Sequence, residues 1–547
     1  MASPFASHLG TNYCPKDDEL LKIRAFLVEP TRRLRRLDDE IAELQKSIDK
    51  LAEERHSLQT YVDGHKALIS PARRLPLDVI QEIFVACIPT HRNCVMSASE
   101  APVLLGRICS SWRAISLTTP HLWARLHIVE PLRGRYGVTD AQIDAKVEQR
   151  LAIAKMWLER SGQCPLSISL QSGWGKDDLI PHTPPSPLET GSGQFLQVLI
   201  PFAARWQHIR FTFPPFVLAA IAHLTAADVP ILKSAAFDPH LRFPPAFVSW
   251  EHLGLLSGPR LTSFCAMGSG SNLQSLRAIR WHQLTELTIG GDPWETPMTS
   301  ETLLHILSQC NQLQTCSVVA HDAGHLNPMS HSQHPLVELP LLHTFTLNCG
   351  TFHCSVLDRL SIPQLRDFTL CGFYNSSLAP FFGLCMRLET VRVDSNSFIK
   401  STLQESLRAL PATLLHLTIR DDAMLRGPSE LALLDDDVLE LLTPTPGFSG
   451  AHVVCPILET LTITHCCTIS DAILLRFVTG RMAMTHSDPK ALKRVEVEFK
   501  RPMMQDIMPA LAPFITRGLH AAISYCTPSA TQLSPLAGIG GCAAAMV

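Results

Sequence analysis

Four histidines, His321, His325, His331 and His334, fall within the stretch HDAGHLNPMSHSQH. Imidazoles four residues apart on a helix can share a metal ion, so the stretch is a candidate for metal-dependent chemistry. Gly324, Asn327 and Pro328 interrupt any helix there, and no cysteine or carboxylate pair completes a ligand set. A polar loop between apolar elements has the same composition. Asp435-Asp436-Asp437 would suit a cation, yet acidic residues ahead of an apolar-periodic segment are ordinary at a solvated helix N-terminus. Cys466-Cys467 and Cys349/Cys354 read as packed thiols, and none of the 17 cysteines forms a CxxC pair. No glycine-rich phosphate loop follows a strand, and neither a GxSxG elbow nor an HExxH helix is present. Nothing marks a residue for bond-making chemistry, and no cofactor is implied.

The chemistry to look for is therefore recognition, and the elements that present it come next. At 547 residues the chain has room for several domains or one extended repeat array. With 46% hydrophobic and 18% charged residues it is a folding chain, not a disordered one. A formal charge of −3 gives no electrostatic case for nucleic acid or an anionic membrane as partner. No basic segment followed by an apolar run opens the chain, so no secretory signal is expected. No uncharged apolar stretch is long enough for a membrane span, and Cys542 lies too far from the end for a prenylation box. Scattered free thiols fit a reducing compartment, the cytoplasm or nucleus.

Residues 1–18 read as a disordered tail and 19–70 as a coiled-coil helix. Leu34, Leu37, Ile41, Leu44, Ile48 and Leu51 alternate spacings of three and four; Arg55 takes the next slot, then Leu58 and Val62. Self-association and packing back along the chain's own next segment both explain this stripe.

Residues 71–126 hold two short amphipathic helices and a turn. Pro76 opens the first, with Asp78 and Glu82 near its positive end. Leu77, Ile80, Ile83, Phe84 and Cys87 form one face, and Pro89 stops it. In the second, Leu104, Leu105, Ile108, Cys109, Trp112 and Ile115 repeat the helical spacing. Pro120, Leu122 and Trp123 make the turn. So small a core wants a partner surface. An ordinary helical hairpin packed on its own protein has the same pattern.

These residues resemble an F-box. Leu75-Pro76-Leu77-Asp78-Val79-Ile80 with Glu82-Ile83-Phe84 looks like its LPxE(L/I)-x(2–3)-IF opening, with Asp78 where Glu is commoner. Ile108-Cys109-Ser110-Ser111-Trp112-Arg113 looks like its (V/I)C(R/S)xWR core, and Pro120-His121-Leu122-Trp123 like its closing P-x-LW. With a coiled coil before the box and repeats after it, the chain resembles the F-box-like proteins abundant in mushroom-forming fungi. The resemblance implies docking on the Skp adaptor of a cullin-RING ubiquitin ligase. The expected contact or box-core residues are Leu75, Pro76, Leu77, Ile80, Ile83, Phe84, Ile108, Trp112 and Trp123.

A linker, residues 127–164, carries an amphipathic helix over Ala141–Ser161, and 171–194 read as a loop. Then a template of apolar-x-x-apolar-x-apolar recurs. It fits Trp206/Ile209/Phe211, Leu232/Ala235/Phe237, Leu261/Phe264/Ala266, Leu284/Leu287/Ile289, Leu313/Cys316/Val318 and Leu342/Phe345/Leu347. It continues at Leu365/Phe368/Leu370, Leu388/Val391/Val393, Leu414/Leu417/Ile419, Leu458/Leu461/Ile463 and Leu492/Val495/Val497, with a weaker copy at Pro165/Ile168/Leu170. From Trp206 to Leu414 the copies start 23 to 29 residues apart, the interval of leucine-rich repeats. LETLTITHCCTISDAILLRF resembles the cysteine-containing class of that repeat. The resemblance puts Cys466 at the small buried turn position, Ile469 beneath it and Ser470-Asp471 at a helix start.

The fold expected is α/β: a coiled-coil helix, a three-helix F-box, then a leucine-rich-repeat solenoid over residues 165–500, closed by a cap and tail at 501–547. The function the resemblance implies is substrate recognition for an SCF-type ubiquitin ligase acting on a protein target. The alternatives are an adaptor-independent repeat scaffold and a metal-dependent enzyme using the histidine loop.

Overall fold

The computed structural model describes residues 3–132, 139–172, 186, 189–238, 253–267, 276, 278–290, 298–320, 336–349, 354–372, 374, 376–421, 433–444, 454–483 and 492–526. The histidine stretch 321–334 lies outside them, as does most of the 171–194 loop. Two compact units are present, Met1–Ile83 and Phe84–Val547.

The first unit is dominated by α1 (Asp17–Leu68). Asp17, Asp18 and Glu19 sit at its positive end and His65 and Lys66 at its negative end, so side-chain charge opposes the helix dipole at both termini. The Glu19 carboxylate accepts the Lys16 N–H at 2.9 Å, satisfying one donor the helix cannot. At 52 residues the rod is about 78 Å long. None of its residues is buried, and the heptad side chains Leu34, Ile41 and Ile48 are all exposed. The short helix α2 (Leu77–Ala86) runs across the division between the units.

The second unit opens with α3 (Leu105–Ile108), α4 (Ser110–Leu117) and a 3-10 turn, Pro120–Trp123. Parallel strands then follow: β1 (Arg125–Val129), β2 (Leu166–Gln171), β3 (Trp206–Thr212), β4 (Ser234–Asp238), β5 (Ser263–Met267), β6 (Glu286–Gly290) and β7 (Thr315–Ala320). After a two-residue strand β8 (Val337–Glu338) comes β9 (Thr344–Cys349), then the equally short β10 (Leu360–Ser361) and β11 (Asp367–Gly372). The series ends with β12 (Thr390–Asp394), β13 (His416–Arg420), β14 (Thr460–Cys466), β15 (Arg494–Phe499) and β16 (His520–Tyr525). β8 pairs β10 in a sheet of their own; the other fourteen form one sheet in sequence order.

This sheet is a solenoid because the two inward apolar positions of each strand stay in register with those of its neighbours, despite bulges between β2 and β3 and between β14 and β15. The second template position runs straight across it, Ile168↔Ile209↔Ala235↔Phe264↔Leu287↔Cys316↔Phe345↔Phe368↔Val391↔Leu417↔Leu461↔Val495. Both inward rows are buried along their length, from Ile168 and Leu170 to Val495 and Val497. Each buried side chain of this size contributes roughly 1.5–3 kcal/mol, and none can be covered within its own repeat. Backbone bonds repeat as well. One carbonyl ahead of a strand accepts two successive N–H groups from the next rung, as Thr285 O does from Gln314 and Thr315 and His343 O from Arg366 and Asp367.

The returns form the second layer. They are α5 (Asp140–Arg160), α6 (Gly191–Leu199), α7 (Ser300–Leu307), α8 (Ala379–Leu384), α9 (Lys400–Arg408), α10 (Asp436–Leu441), α11 (Asp471–Ala483) and α12 (Met508–Ile515), with 3-10 turns between. Neighbouring helices pack α5 on α6, α8 on α9, α9 on α10, α10 on α11 and α11 on α12.

Two strands extend the sheet beyond the expected span. β1 lies where the box was expected to give way to a linker, and β16 lies in the expected cap. The helix expected as a linker is α5, whose Ile143, Val147, Ala154, Trp157 and Leu158 are buried, so it serves as the first return of the array. The expected second helix of the box is broken in two at Cys109, which adopts φ −157° and ψ 170°.

Candidate adaptor-docking site

In α2 the Pro76 carbonyl accepts the Ile80 N–H at 3.1 Å, so the proline stands just outside the helix instead of in its first turn. Ile80 and Phe84, four residues apart, are the buried side of the helix. Leu75, Pro76, Leu77, Val79 and Ile83 are exposed, Leu77 by 57%.

Within the second unit, Phe84 packs on Trp112 with ring centroids 4.8 Å apart. Trp112 lies in the first turn after the break at Cys109. An extended residue there restarts the helix, and Cys109 Sγ accepts the Trp112 N–H at 3.4 Å as its cap. Arg113 Nε donates to the Gly106 carbonyl at 2.7 Å, bracing α4 against α3 across the break. Trp123 is buried; its indole N–H donates to Ser116 O at 2.7 Å and its ring meets Trp157 of α5 edge-on at 4.8 Å. Arg160 lies over the same ring. The segment from Phe84 to Trp123 is thus tied to the first return of the array, which supplies core that so short a segment lacks. Ile108 is 54% exposed, with Leu104 and Leu117 also in the open, while Trp112 is half-buried.

Of the nine expected residues, Ile80, Phe84 and Trp123 are therefore packing residues; Leu75, Pro76, Leu77, Ile83 and Ile108 are the accessible ones, with Trp112 between the two sets.

The remaining candidates resolve into structure. Asp435 caps α10 by accepting the Val438 N–H, Lys400 bonds Asp435 and Asp437, and Asp436 accepts the Ser470 N–H at 2.6 Å. Cys466, Ile469, Leu474 and Phe477 are all buried, and Ser470 Oγ accepts the Ile473 N–H at 3.2 Å, the arrangement expected of a cysteine-containing repeat. Burial pushes the thiols of Cys310 and Cys455 up to about 12 and that of Cys466 to about 11, which leaves them protonated and unreactive at neutral pH. No three metal-ligating side chains converge among the described residues. No described helix is long and apolar enough to cross a membrane.

No protein-family model matches the chain, and no curated protein matches it. Among solved structures, a chain in the crystal structure of the Rad7 and Elc1 complex in yeast is similar at 12% identity and a TM-score of 0.29, over 68% of this chain and 90% of that one.

Proposed function

We propose that this chain is the substrate-recognition subunit of an SCF-type ubiquitin ligase. Residues 71–126 dock on the Skp adaptor, the cullin ligase assembles behind it, and the strand array binds a protein target. The chain itself performs no bond chemistry. One observation supports docking above the others: a helix with a buried Ile80/Phe84 stripe keeps Leu77 and Ile83 exposed, as Ile108 is beyond it. Exposed apolar side chains on well-packed short helices are what a partner surface requires. The heptad stripe on α1, whose apolar side chains are exposed, is the seam for a second copy of the chain.

The test is co-purification with the Skp adaptor. Leu77→Ala with Ile83→Ala removes exposed side chains only, so the double variant is expected to stay folded and lose capture. If the wild-type chain fails to retain the adaptor, the chain is an adaptor-independent repeat scaffold. Undiminished capture by the double variant moves the docking surface elsewhere.

A further inference from the structure

The outward face of the solenoid is not uniform in charge. Its first rungs form a depression of about 490 Å³ lined by His91, Arg92, Arg125, His127, His208 and Arg210, together with Asn93 and the hydroxyls of Ser167, Ser169 and Ser234. No carboxylate lines it.

Register explains how it forms. Two outward rows cross the strands side by side, Arg125↔Ser167↔His208↔Ser234 and His127↔Ser169↔Arg210↔Ala236. Small residues on β2 and β4 alternate with arginine and histidine side chains on β1 and β3, and adjacent strands stand about 4.8 Å apart. A bulge contributes. Trp206 pairs Leu166 while His208 pairs Ser167, leaving Gln207 as the extra residue that sets His208 and Arg210 opposite the two serines.

The walls are fixed before any ligand arrives. The Arg125 guanidinium donates to the carbonyls of Pro89, Thr90 and Arg92 at 2.8, 3.2 and 2.9 Å, holding the 89–92 segment in place without cancelling its own charge. Asn93 donates to Ser169 Oγ at 3.1 Å and accepts from Ser167 Oγ at 2.9 Å, and His127 Nδ1 lies 2.8 Å from Ser169 Oγ. Arg92 is paired with Glu100. Arg210 and Lys233 have no ion pair among the described residues. Arg125 and Arg210 thus face one concavity that has no carboxylate among its lining residues.

Positive charge stops abruptly along the same face. Across β5, β6 and β7 the outward positions are Ser263, Cys265, Glu286, Thr288, Thr315 and Ser317. A nucleic-acid strand or an extended acidic peptide would leave its cations after about four strands, whereas a compact dianion would not. A guanidinium fork, imidazole donors and serine hydroxyls are the groups that bind tetrahedral oxyanions.

We propose that this depression is a binding site for a phosphate monoester. The site lies wholly within the second unit and does not depend on adaptor docking.

Calorimetry on the full chain tests it with inorganic phosphate, O-phosphoserine, and a neutral peptide with and without one phosphoserine. The phosphate-bearing probes are expected to bind and the unphosphorylated peptide not to. Arg210→Ala should weaken binding about tenfold or more, with Arg210→Lys recovering part of the loss. Arg392→Ala, which removes an outward cation already paired with Asp367, should change nothing. Tighter binding of the phosphopeptide than of phosphoserine assigns the oxyanion to a polypeptide; equal binding assigns it to a small molecule. Absence of binding by every phosphate probe, or equal loss in the Arg392 variant, overturns the proposal. Arg210 is exposed, and a thermal melt of each variant verifies folding independently.

Discussion

The Asp471 carboxylate lies 2.9 Å from the Arg501 guanidinium, and almost none of that carboxylate is open to solvent. It also accepts the backbone N–H groups of Met504 and Gln505 at 3.0 and 2.8 Å and the Tyr525 hydroxyl at 3.0 Å. Arg501 in turn donates to the Ile469 carbonyl at 2.7 Å and stands over the Phe499 ring. One side chain at the start of α11 therefore fastens the β14 repeat to both rungs that follow it.

Removing that carboxylate leaves a half-buried guanidinium without its counter-charge and two backbone donors without their acceptor. Asp471→Ala is expected to cost about 3–5 kcal/mol in denaturant unfolding. Burial works to raise the Asp471 pKa, but the bonds from Arg501, Gln505, Met504 and Tyr525 outweigh it and hold the carboxyl below its ordinary range. A depressed carboxylate stabilises above its unfolded pKa of about 3.9, and that stability is lost as pH falls through the folded value. Asp471→Asn should accordingly flatten the acid limb of the stability profile.

Gly372 ends β11 at φ 80°, where a Cβ would run into the carbonyl oxygen of Cys349 on the neighbouring strand. Gly372→Ala should destabilise by about 2 kcal/mol or more, since the left-handed backbone alone costs roughly 1–2 kcal/mol for other residues. A thermal or urea melt measures it.

Phe345 is fully buried in the inward row and stacks near Phe368, while Thr346 beside it faces outward. Phe345→Ala should cost about 3–5 kcal/mol and Thr346→Ala no more than about 0.5 kcal/mol. Equal effects would mean that the two faces of the sheet are wrongly assigned.

If α1 pairs with a second copy, sedimentation of the full chain should give a concentration-dependent dimer. Ile41→Asp with Ile48→Asp puts charge in the seam and should yield a monomer with unchanged array stability. A wild-type chain that stays monomeric at high concentration removes the pairing.

Burial pushes the His127 and His208 pKa values down, helped by Arg92 for the first and by Lys233 and Arg125 for the second, with Glu286 opposing at His208. Both rings gain charge as pH falls through these lowered values. Sulfate, which does not titrate in this range, should therefore bind more tightly as pH is lowered below the ordinary histidine value of about 6.5. His127→Gln with His208→Gln should remove that dependence.

The sequence pattern located twelve strands of the main sheet because each carries the same three apolar positions and the fold buries them identically. It missed β1 and β16 for different reasons. Leu126 and Ile128 fall on either side of the boundary at 126 between the expected box and linker, so the strand was split between the two. In β16 the position matching Val495 is Ala521, too small to stand out, and the strand is only partly covered. The helix break at Cys109 left no mark because Gly106 and Ser110 are compatible with a continuous helix. The cationic depression was illegible for a more general reason. Arg125 and His127 are separated from His208 and Arg210 by most of two repeats, and alternate polar residues on a strand look like any solvated face. Register alone makes them neighbours. The exposed box residues were legible as a helical stripe, but which of them point inward depended on Phe84 meeting Trp112.

Since each strand of the main sheet pairs just with the one before and the one after, with the inward positions aligned, a whole unit can be duplicated or deleted without redesigning the others. The array can lengthen or shorten over evolutionary time while the cationic mouth and the short helices at its front stay as they are. Diversity among descendants of such a gene would then accumulate in rung number and outward side chains, and the front end would change least.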